Sequence, residues 1–304
     1  MNRMGYGAMQ LAGPNVWGPP QDPEAARQVL RLAVELGVTF FDTANAYGPR
    51  IVNQLIGEAL RPFPDGVIVG NKVGAGRGPD GSWIITDHPD TVRRQVHEAL
   101  ADMGAETSEL TYLRLPGDMP GTHTDVPLEE SLGVLVELRE QGLIRRIGLS
   151  GASPELLARA QEMTPIAAVQ NRFNLLDRSG VQVLEACEEQ GIMFVPYFPL
   201  ASGRLAGYAE LAGPAQRLGV TPAQVALAWL LRRSPAMLVI PGTANPAHLR
   251  ANVAAAGIAA DLTDDEVARL TGLVDESQAR LGQPHQSTLD ALTAAAERHA
   301  GNVR

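Results

Sequence analysis

Two hydrophobic rhythms alternate along the chain. Short apolar runs at 38–41, 67–69, 110–115, 144–149, 166–169, 192–195 and 237–240 have the length and near-continuous hydrophobicity of strands buried on both faces of a parallel sheet. Between them lie segments with helical spacing. In "DPEAARQVLRLAVELG", Pro23 stands near the start, Gly37 at the end, and Val29, Leu32, Ala33 and Leu36 fall on one face, as in a capped amphipathic helix. The same reading applies to "RIVNQLIGEALR", "DTVRRQVHEALADMG", "LEESLGVLVELREQG", "SPELLARAQEM", "SGVQVLEACEEQG" and "TPAQVALAWLLRR". With "RMGYGAM" as a first strand, the pattern predicts eight strands in strict alternation with loops or helices, which is an α/β fold of the (β/α)8 TIM barrel type. A doubly wound sheet would usually open a helix from a Gly-rich loop after its first strand; "GYGAMQLAGPNVWG" is Gly-rich but opens none, and reads as a loop over the barrel mouth.

In such a barrel the side chains that carry chemistry project from the C-terminal ends of the strands. Those ends supply Asp42, Lys72, Arg114, Ser150, Gln170 with Asn171, Tyr197, and the run "PGTAN" from Pro241. One charged strand end alone has an even chance of being structural. A ring of polar groups is harder to ascribe to packing.

Composition narrows the class. At 304 residues and 45% hydrophobic, the chain is expected to form one barrel domain over 1–304, with 282–304 as a C-terminal helical extension that would serve as a lid or an oligomer contact. No apolar run reaches eighteen residues and "MNRMGYGAMQ" lacks a signal-peptide core, so a cytoplasmic location is expected, in agreement with the single cysteine, Cys187, in a helical pattern. The formal charge of −9 and the dispersed basic residues give no footprint for nucleic acid, so any anionic ligand must be held by a local site. His88, His97 and His123 lack metal-ligand spacing, and no metal is expected. Trp17 and Trp83 fall in loops that can line a substrate mouth, while Trp229, in "VALAWLLRR", reads as core.

"FFDTANAYG", "VIVGNKVG", "IRRIGLS", "AAVQNRFN", "VPYFPLASGRLAG" and "LVIPGTANPAHLRAN" resemble, in order, the successive motifs of the aldo-keto reductases, from about Met4 to about Leu273. Within that family, "GYGAMQLAGP" and the pair Leu113-Arg114 are similar to a bacterial branch that includes pyridoxal reductases. The resemblance implies a carbonyl reductase that takes a small aldehyde or ketone, pyridoxal among the candidates, and uses NADPH more readily than NADH.

The residues can be asked what such a reaction needs. Hydride transfer to a carbonyl develops negative charge on oxygen, so a proton donor must stand there, and Tyr47 can supply it. A free phenol, with a pKa of about 10, needs its conjugate base stabilised to work near neutrality, and the Lys72 ammonium is the candidate. Asp42 would hold that lysine charged and oriented. The bland alternatives are a structural Lys72–Asp42 pair and a Tyr47 that merely packs under a loop. Arg114 stands where most of the family carries histidine; it stays protonated, so it can polarise a carbonyl but not act as acid or base. Pairing with Asp118 is its structural alternative, and imine reduction or a nucleotide-sensing role on the same barrel remain open.

By resemblance, Ser150, Gln170 and Asn171 would hold the nicotinamide carboxamide and Tyr197 would stack on the ring; Gly151 replaces a common asparagine, so one contact is expected to be missing. "PLASGRL", with Pro199, Leu200, Ser202 and Arg204, and "IPGTANPAHLRAN", with Pro241, Gly242, Thr243, Asn245, His248 and Asn252, would wrap the pyrophosphate and adenosine, near the start of a helix opening around Pro246.

Overall fold

The computed structural model describes residues 3–118 and 122–281. In chain order the elements are β1 (Tyr6–Gly7), α1 (Pro23–Glu35), β2 (Phe40–Asp42), α2 (Ile51–Leu60), β3 (Ile68–Val73), β4 (Ala75–Arg77), β5 (Trp83–Ile85), α3 (Pro89–Met103), β6 (Leu110–Arg114), α4 (Leu128–Glu140), β7 (Ile147–Ser150), α5 (Pro154–Met163), β8 (Ile166–Arg172), α6 (Val181–Gln190), β9 (Met193–Tyr197), α7 (Ala212–Leu218), α8 (Pro222–Arg233), α9 (Pro246–Ile258) and α10 (Asp264–Leu281). The helices begin where the sequence caps them. Asp22 accepts the Ala25 amide at 2.9 Å ahead of Pro23, and Thr221 with Gln224 forms a reciprocal capping box at α8.

Seven strands form one parallel sheet in the order β1-β2-β3-β6-β7-β8-β9. The eighth stave is the segment from Met237 to Pro241. It bridges β9 at Phe194–Met237 and the first stave at Met4–Val239, both parallel. Gly5 N donates to Val239 O at 2.8 Å and Leu238 N to Phe194 O at 2.9 Å, so the sheet curls shut into the expected barrel. At the mouth this seam is very close: a Cβ on Gly7 would stand 2.7 Å from Ile240 O, and one on Gly242 2.5 Å from Gly7 O, so no side chain larger than hydrogen fits there.

The period of two along each strand sorts side chains into two layers. Phe40, Leu110, Tyr112, Ala168, Val195, Leu238 and Ile240 pack together inside the barrel. The larger apolar layers, such as Leu113, Leu149, Val169 and Phe194 against Leu132, Leu184 and Trp229, lie between barrel and helices. Positions two further along the interior files are therefore aimed into the mouth: Asp42 after Phe40, Arg114 after Tyr112, Gln170 after Ala168 and Tyr197 after Val195.

Three features differ from the sequence expectation. An antiparallel hairpin, β4 with β5, interrupts the strict alternation after β3. Helices α7 and α10 were not read from the pattern. The first and eighth staves are short, because each needs only a few backbone bonds to close the seam. The expected extension at 282–304 lies outside the described residues. None of the described helices is long and apolar enough to cross a membrane.

Candidate active site

Asp42, at the end of β2, and Lys72, near the end of β3, are both almost fully buried and form an ion pair, with Lys72 Nζ 2.6 Å from Asp42 Oδ1. The ammonium also donates to Thr43 O at 3.0 Å. It lies 5.2 Å from the centroid of the Tyr47 ring, which the turn after β2 carries into the same space. The second Asp42 oxygen, Oδ2, accepts the Gln170 amide at 2.7 Å. Register explains these meetings across the sheet: Lys72 pairs with Tyr112, Arg114 with Ser150, and Ser150 with Gln170. Tyr112 lies at the floor of the site. Burial first, and then the Asp42 charge, push its phenol well above the usual range; Gln170 offsets a little of this without reaching full hydrogen-bonding geometry. Tyr112 is therefore a fixed neutral wall.

Arg114 reaches the same mouth. Its Nε is buried without a hydrogen-bond partner among the described residues, and its guanidinium carbon stands 5.8 Å from the centroid of the Trp83 ring. The side chain of Asp118, the alternative partner, is outside the described residues. Trp83, on β5, meets Tyr47 edge to face at 6.3 Å and 85°. Five of the sequence-derived candidates, Asp42, Tyr47, Lys72, Arg114 and Gln170, are thus linked with Trp83 through a continuous set of contacts at the barrel mouth.

The remaining candidates lie on β7, β8, β9 and the loops that follow them. Ser150 is fully buried at the end of β7. Asn171 belongs to the opposite strand face: its Oδ1 accepts from Gly151 N at 3.2 Å and Ala152 N at 3.1 Å, and its Nδ2 donates to Ala152 O at 2.7 Å. It is committed to the β7–α5 loop. Tyr197 stands beside Arg172, whose guanidinium carbon lies 5.5 Å from the tyrosine ring centroid. Beyond it the backbone takes left-handed conformations at Phe198 (φ 52°), Ala201 (φ 49°) and Ser202 (φ 54°). Such strain in non-glycine residues persists where the surrounding structure enforces it, and it concentrates in ligand-binding loops. Pro199 is buried, Leu200 half-buried, and Arg204 donates to Ala201 O at 3.1 Å from the exposed side of this loop.

On the far rim, Thr243 O accepts the Tyr6 hydroxyl at 2.6 Å and Thr243 Oγ1 accepts Asn245 N at 3.0 Å. Asn245 caps α9 through Ala247 N at 2.8 Å; Pro241 is buried, Gly242 and His248 are exposed, and Asn252 is buried. These groups line one edge of the mouth from Tyr197 round to α9.

Several site residues were not singled out from sequence. Arg172 is one. A second group is a buried amide cluster behind the turn that bears Tyr47: Asn71 Nδ2 donates to Asn45 Oδ1 at 2.9 Å, Asn53 Nδ2 to the same oxygen at 3.2 Å, and Thr43 Oγ1 to Asn53 Oδ1 at 2.7 Å. Asn45 Nδ2 donates to Gln95 O at 2.8 Å. This network ties the turn bearing Tyr47 to β3, α2 and α3. Its sequence signal is amides placed where the helical and strand patterns call for apolar residues, as at Asn53 between Val52 and Leu55.

A buried acid–lysine pair under a tyrosine, on the C-terminal ends of a closed parallel barrel, is the arrangement the motifs anticipate. The comparisons agree with it. The protein shares 43% identity over 277 residues with pyridoxine 4-dehydrogenase of Escherichia coli, covering 91% of this chain and 96% of that one. Among solved structures, a thermostable aldo-keto reductase bound to the inhibitor epalrestat superposes with a TM-score of 0.78 at 29% identity, covering 90% of this chain and 95% of that one. An aldo/keto reductase of Klebsiella pneumoniae in complex with NADP and acetate gives 0.73 at 26% identity, over 90% and 91% of the two chains. The aldo/keto reductase family pattern matches residues 3–275, and with the barrel and its mouth as described, the chain belongs to that family of oxidoreductases.

Proposed function

We propose that the protein is an NADPH-dependent carbonyl reductase in which Tyr47 delivers the proton, and that pyridoxal is a substrate. The observation that carries this reading is the buried Lys72–Asp42 pair beneath Tyr47. When bound, the nicotinamide supplies a hydride to the carbonyl carbon. This chain's residues do the rest. Tyr47 gives its phenolic proton to the carbonyl oxygen, and the Lys72 ammonium stabilises the phenolate left behind. Asp42 keeps Lys72 charged at a site where an unpaired cation would be costly. Arg114, with its free Nε, donates to an oxygen of the substrate.

The chain's own groups fit the cofactor. The loop after Tyr197 is left-handed at Phe198, Ala201 and Ser202, with Gly203 at φ 83°, and Ser202 and Gly203 are exposed. Gln170 has its amide N–H engaged with Asp42, which leaves its carbonyl oxygen to accept from the nicotinamide carboxamide beside Ser150. Tyr197 would stack on the ring, and Thr243, His248 and Asn252 would hold the adenosine end. Support for NADPH also comes from the Klebsiella pneumoniae structure with NADP. Support for pyridoxal comes from the pyridoxine 4-dehydrogenase relative, since pyridoxal is the aldehyde of pyridoxine.

A screen of carbonyl compounds that follows loss of NADPH absorbance, with pyridoxal included, tests the reading. Reduction of pyridoxal with a clear preference for NADPH over NADH is expected. No turnover of any carbonyl, with no cofactor binding by calorimetry, would overturn it.

A further inference from the structure

The β4–β5 hairpin is fastened to the barrel from two sides. At its base, Gln95 Nε2 donates to Ala75 O at 3.1 Å and to Thr86 Oγ1 at 3.0 Å, while Gln95 Oε1 accepts Gly74 N at 2.7 Å. At its flank, Arg77 donates to Gly81 O from Nε at 3.0 Å and from Nη2 at 2.7 Å, to Val16 O from Nη1 at 3.1 Å and to Asn15 O from Nη2 at 2.9 Å. Val16 O accepts Gly48 N as well, at 3.2 Å, so the first loop, the hairpin and the turn bearing Tyr47 meet at one carbonyl. Both Asn15 and Val16 are left-handed at φ 58°, a costly conformation for a β-branched residue, and Arg77 is the side chain that holds it. Arg77 is spent on these carbonyls and on stacking, 4.3 Å from the Trp83 centroid and 5.4 Å from that of Trp17. It has little left to offer a ligand.

What the fastening fixes is Trp83. One cation, Arg77, packs on its ring, its edge contact sets Tyr47, and a second cation, Arg114, stands 5.8 Å from its centroid. An arginine side chain has several rotatable bonds, and among the described residues Arg114 makes no hydrogen bond through Nε to orient it. The quadrupole of an indole face attracts a guanidinium within this range and restricts where it can lie. We propose that Trp83 is a specificity-determining positioning residue: held rigid by Arg77 and Gln95, it keeps the Arg114 guanidinium over the oxygen side of the site, and so selects carbonyl compounds that carry an ionisable hydroxyl next to the carbonyl. This rests on the reductase reading above and adds the element that sets the substrate class.

The test compares kcat/KM for 2-hydroxybenzaldehyde and benzaldehyde, with NADPH, in the full chain and in Trp83→Leu, Trp83→Phe, Arg114→Gln and the double variant Trp83→Leu/Arg114→Gln. The unaltered protein is expected to favour the hydroxylated aldehyde. Trp83→Leu should lower kcat/KM for 2-hydroxybenzaldehyde about tenfold more than for benzaldehyde. Trp83→Phe, which keeps an aromatic face and guards against misfolding, should retain most of the preference. In the Arg114→Gln background, Trp83→Leu should change the preference no further, because the two residues act as one unit. Equal losses on both substrates, or an undiminished effect of Trp83→Leu without Arg114, would overturn the proposal while leaving the reductase reading standing. Failure of the unaltered protein to reduce either aldehyde would overturn the proposal, and the reductase reading would fall with it only if the carbonyl screen and the cofactor calorimetry above were also negative.

Discussion

Gln170 donates its side-chain amide to Asp42 across the barrel, 2.7 Å from Oδ2, although 128 positions separate the two in sequence. Asp42 is thereby shared between a charge and an amide, each on its own oxygen. Removing that carboxylate should do two things at once. Asp42→Asn leaves the Lys72 ammonium buried without its counterion, a change that costs about 3 kcal/mol or more in stability. It should also reduce turnover, because Lys72 loses the group that orients it. Thermal unfolding and steady-state kinetics on one preparation check both; an unchanged Tm would show that the pair is solvated and is not the buried device described above.

Tyr47→Phe should separate chemistry from stability. The phenyl ring can keep its edge contact with Trp83 and its place beside Lys72, while the proton donor is gone. Turnover should fall by about a hundredfold or more, the scale of general-acid catalysis, with the Kd for NADPH and the Tm nearly unchanged. Turnover within a few-fold of the unaltered protein would remove Tyr47 as the acid.

The barrel and the ends of β2, β3 and β6 were legible because both are read by counting. Asp42, Lys72 and Arg114 each follow a short apolar run, and a period of two carries an interior residue into the mouth. The same counting fails at "QN", 170–171, where a one-residue uncertainty in the strand boundary exchanges the two faces. Gln170 proves to face Asp42, and Asn171 the β7–α5 loop. The hairpin carried its own signal in "GPDGS", a Pro-Asp-Gly turn. There Gly81 N donates to Gly78 O at 2.9 Å and Asp80 Oδ1 accepts Ser82 N at 3.0 Å. That signal could announce a turn; it could not announce that the turn folds Trp83 back over Tyr47, which depends on Arg77 and Gln95 meeting partners far along the chain. The amide cluster of Asn45, Asn53 and Asn71 is long-range in the same sense, since no member has a satisfying partner within its own element.

Acid stability should report on the start of α10. Glu266 closes a capping box there, with Oε2 accepting Thr263 N at 2.9 Å while Glu266 N donates to Thr263 Oγ1 at 3.2 Å. Arg217 Nε also donates to Glu266 Oε1, at 2.8 Å. The Arg217 hydrogen bonds, followed by those of Thr263, bring its carboxyl down to about 2. Because the folded state binds this proton less readily than the unfolded one, the stabilisation is complete above the unfolded value of about 4.3 and is lost as pH falls toward 2. Glu266→Gln should flatten the fall of Tm between pH 5 and 3, and lower Tm at pH 7. An unchanged acid limb would mean that Arg217 is solvated instead.

Cys187 should behave as an inert thiol until the protein opens. It is fully buried on α6, and burial, with Glu188 beside it, pushes the thiol up to about 12. The nucleophilic thiolate is therefore both scarce and shielded. Labelling by a thiol reagent at pH 8 should be negligible in the native state and should appear with the unfolding transition in denaturant. Rapid labelling of the native protein would show local opening at α6.

Arg178 presents the opposite case, a half-buried residue whose guanidinium tip is packed against Trp229. Its guanidinium carbon lies 3.9 Å from the Trp229 ring centroid, and both Nη atoms are buried without hydrogen-bond partners among the described residues. Trp229 in turn is stacked on Phe173, with centroids 6.1 Å apart and planes 7° apart. Burial, and then the Arg233 charge, push the Arg178 guanidinium down to about 9, against the weaker pull of Asp177. The stack on Trp229 contributes up to about 2 kcal/mol when desolvated, whereas an unpaired buried ion carries a penalty of several kcal/mol. The penalty should win. Arg178→Met keeps the unbranched stem and much of the volume while discharging the site, and should raise stability by about 1 kcal/mol in urea unfolding at pH 7. Arg178→Ala, which leaves a void beside Trp229 as well, should not share that gain. A stability loss in Arg178→Met as large as that in Arg178→Ala would show that the cation–π stack outweighs desolvation, and that the charge holds the β8–α6 loop in place.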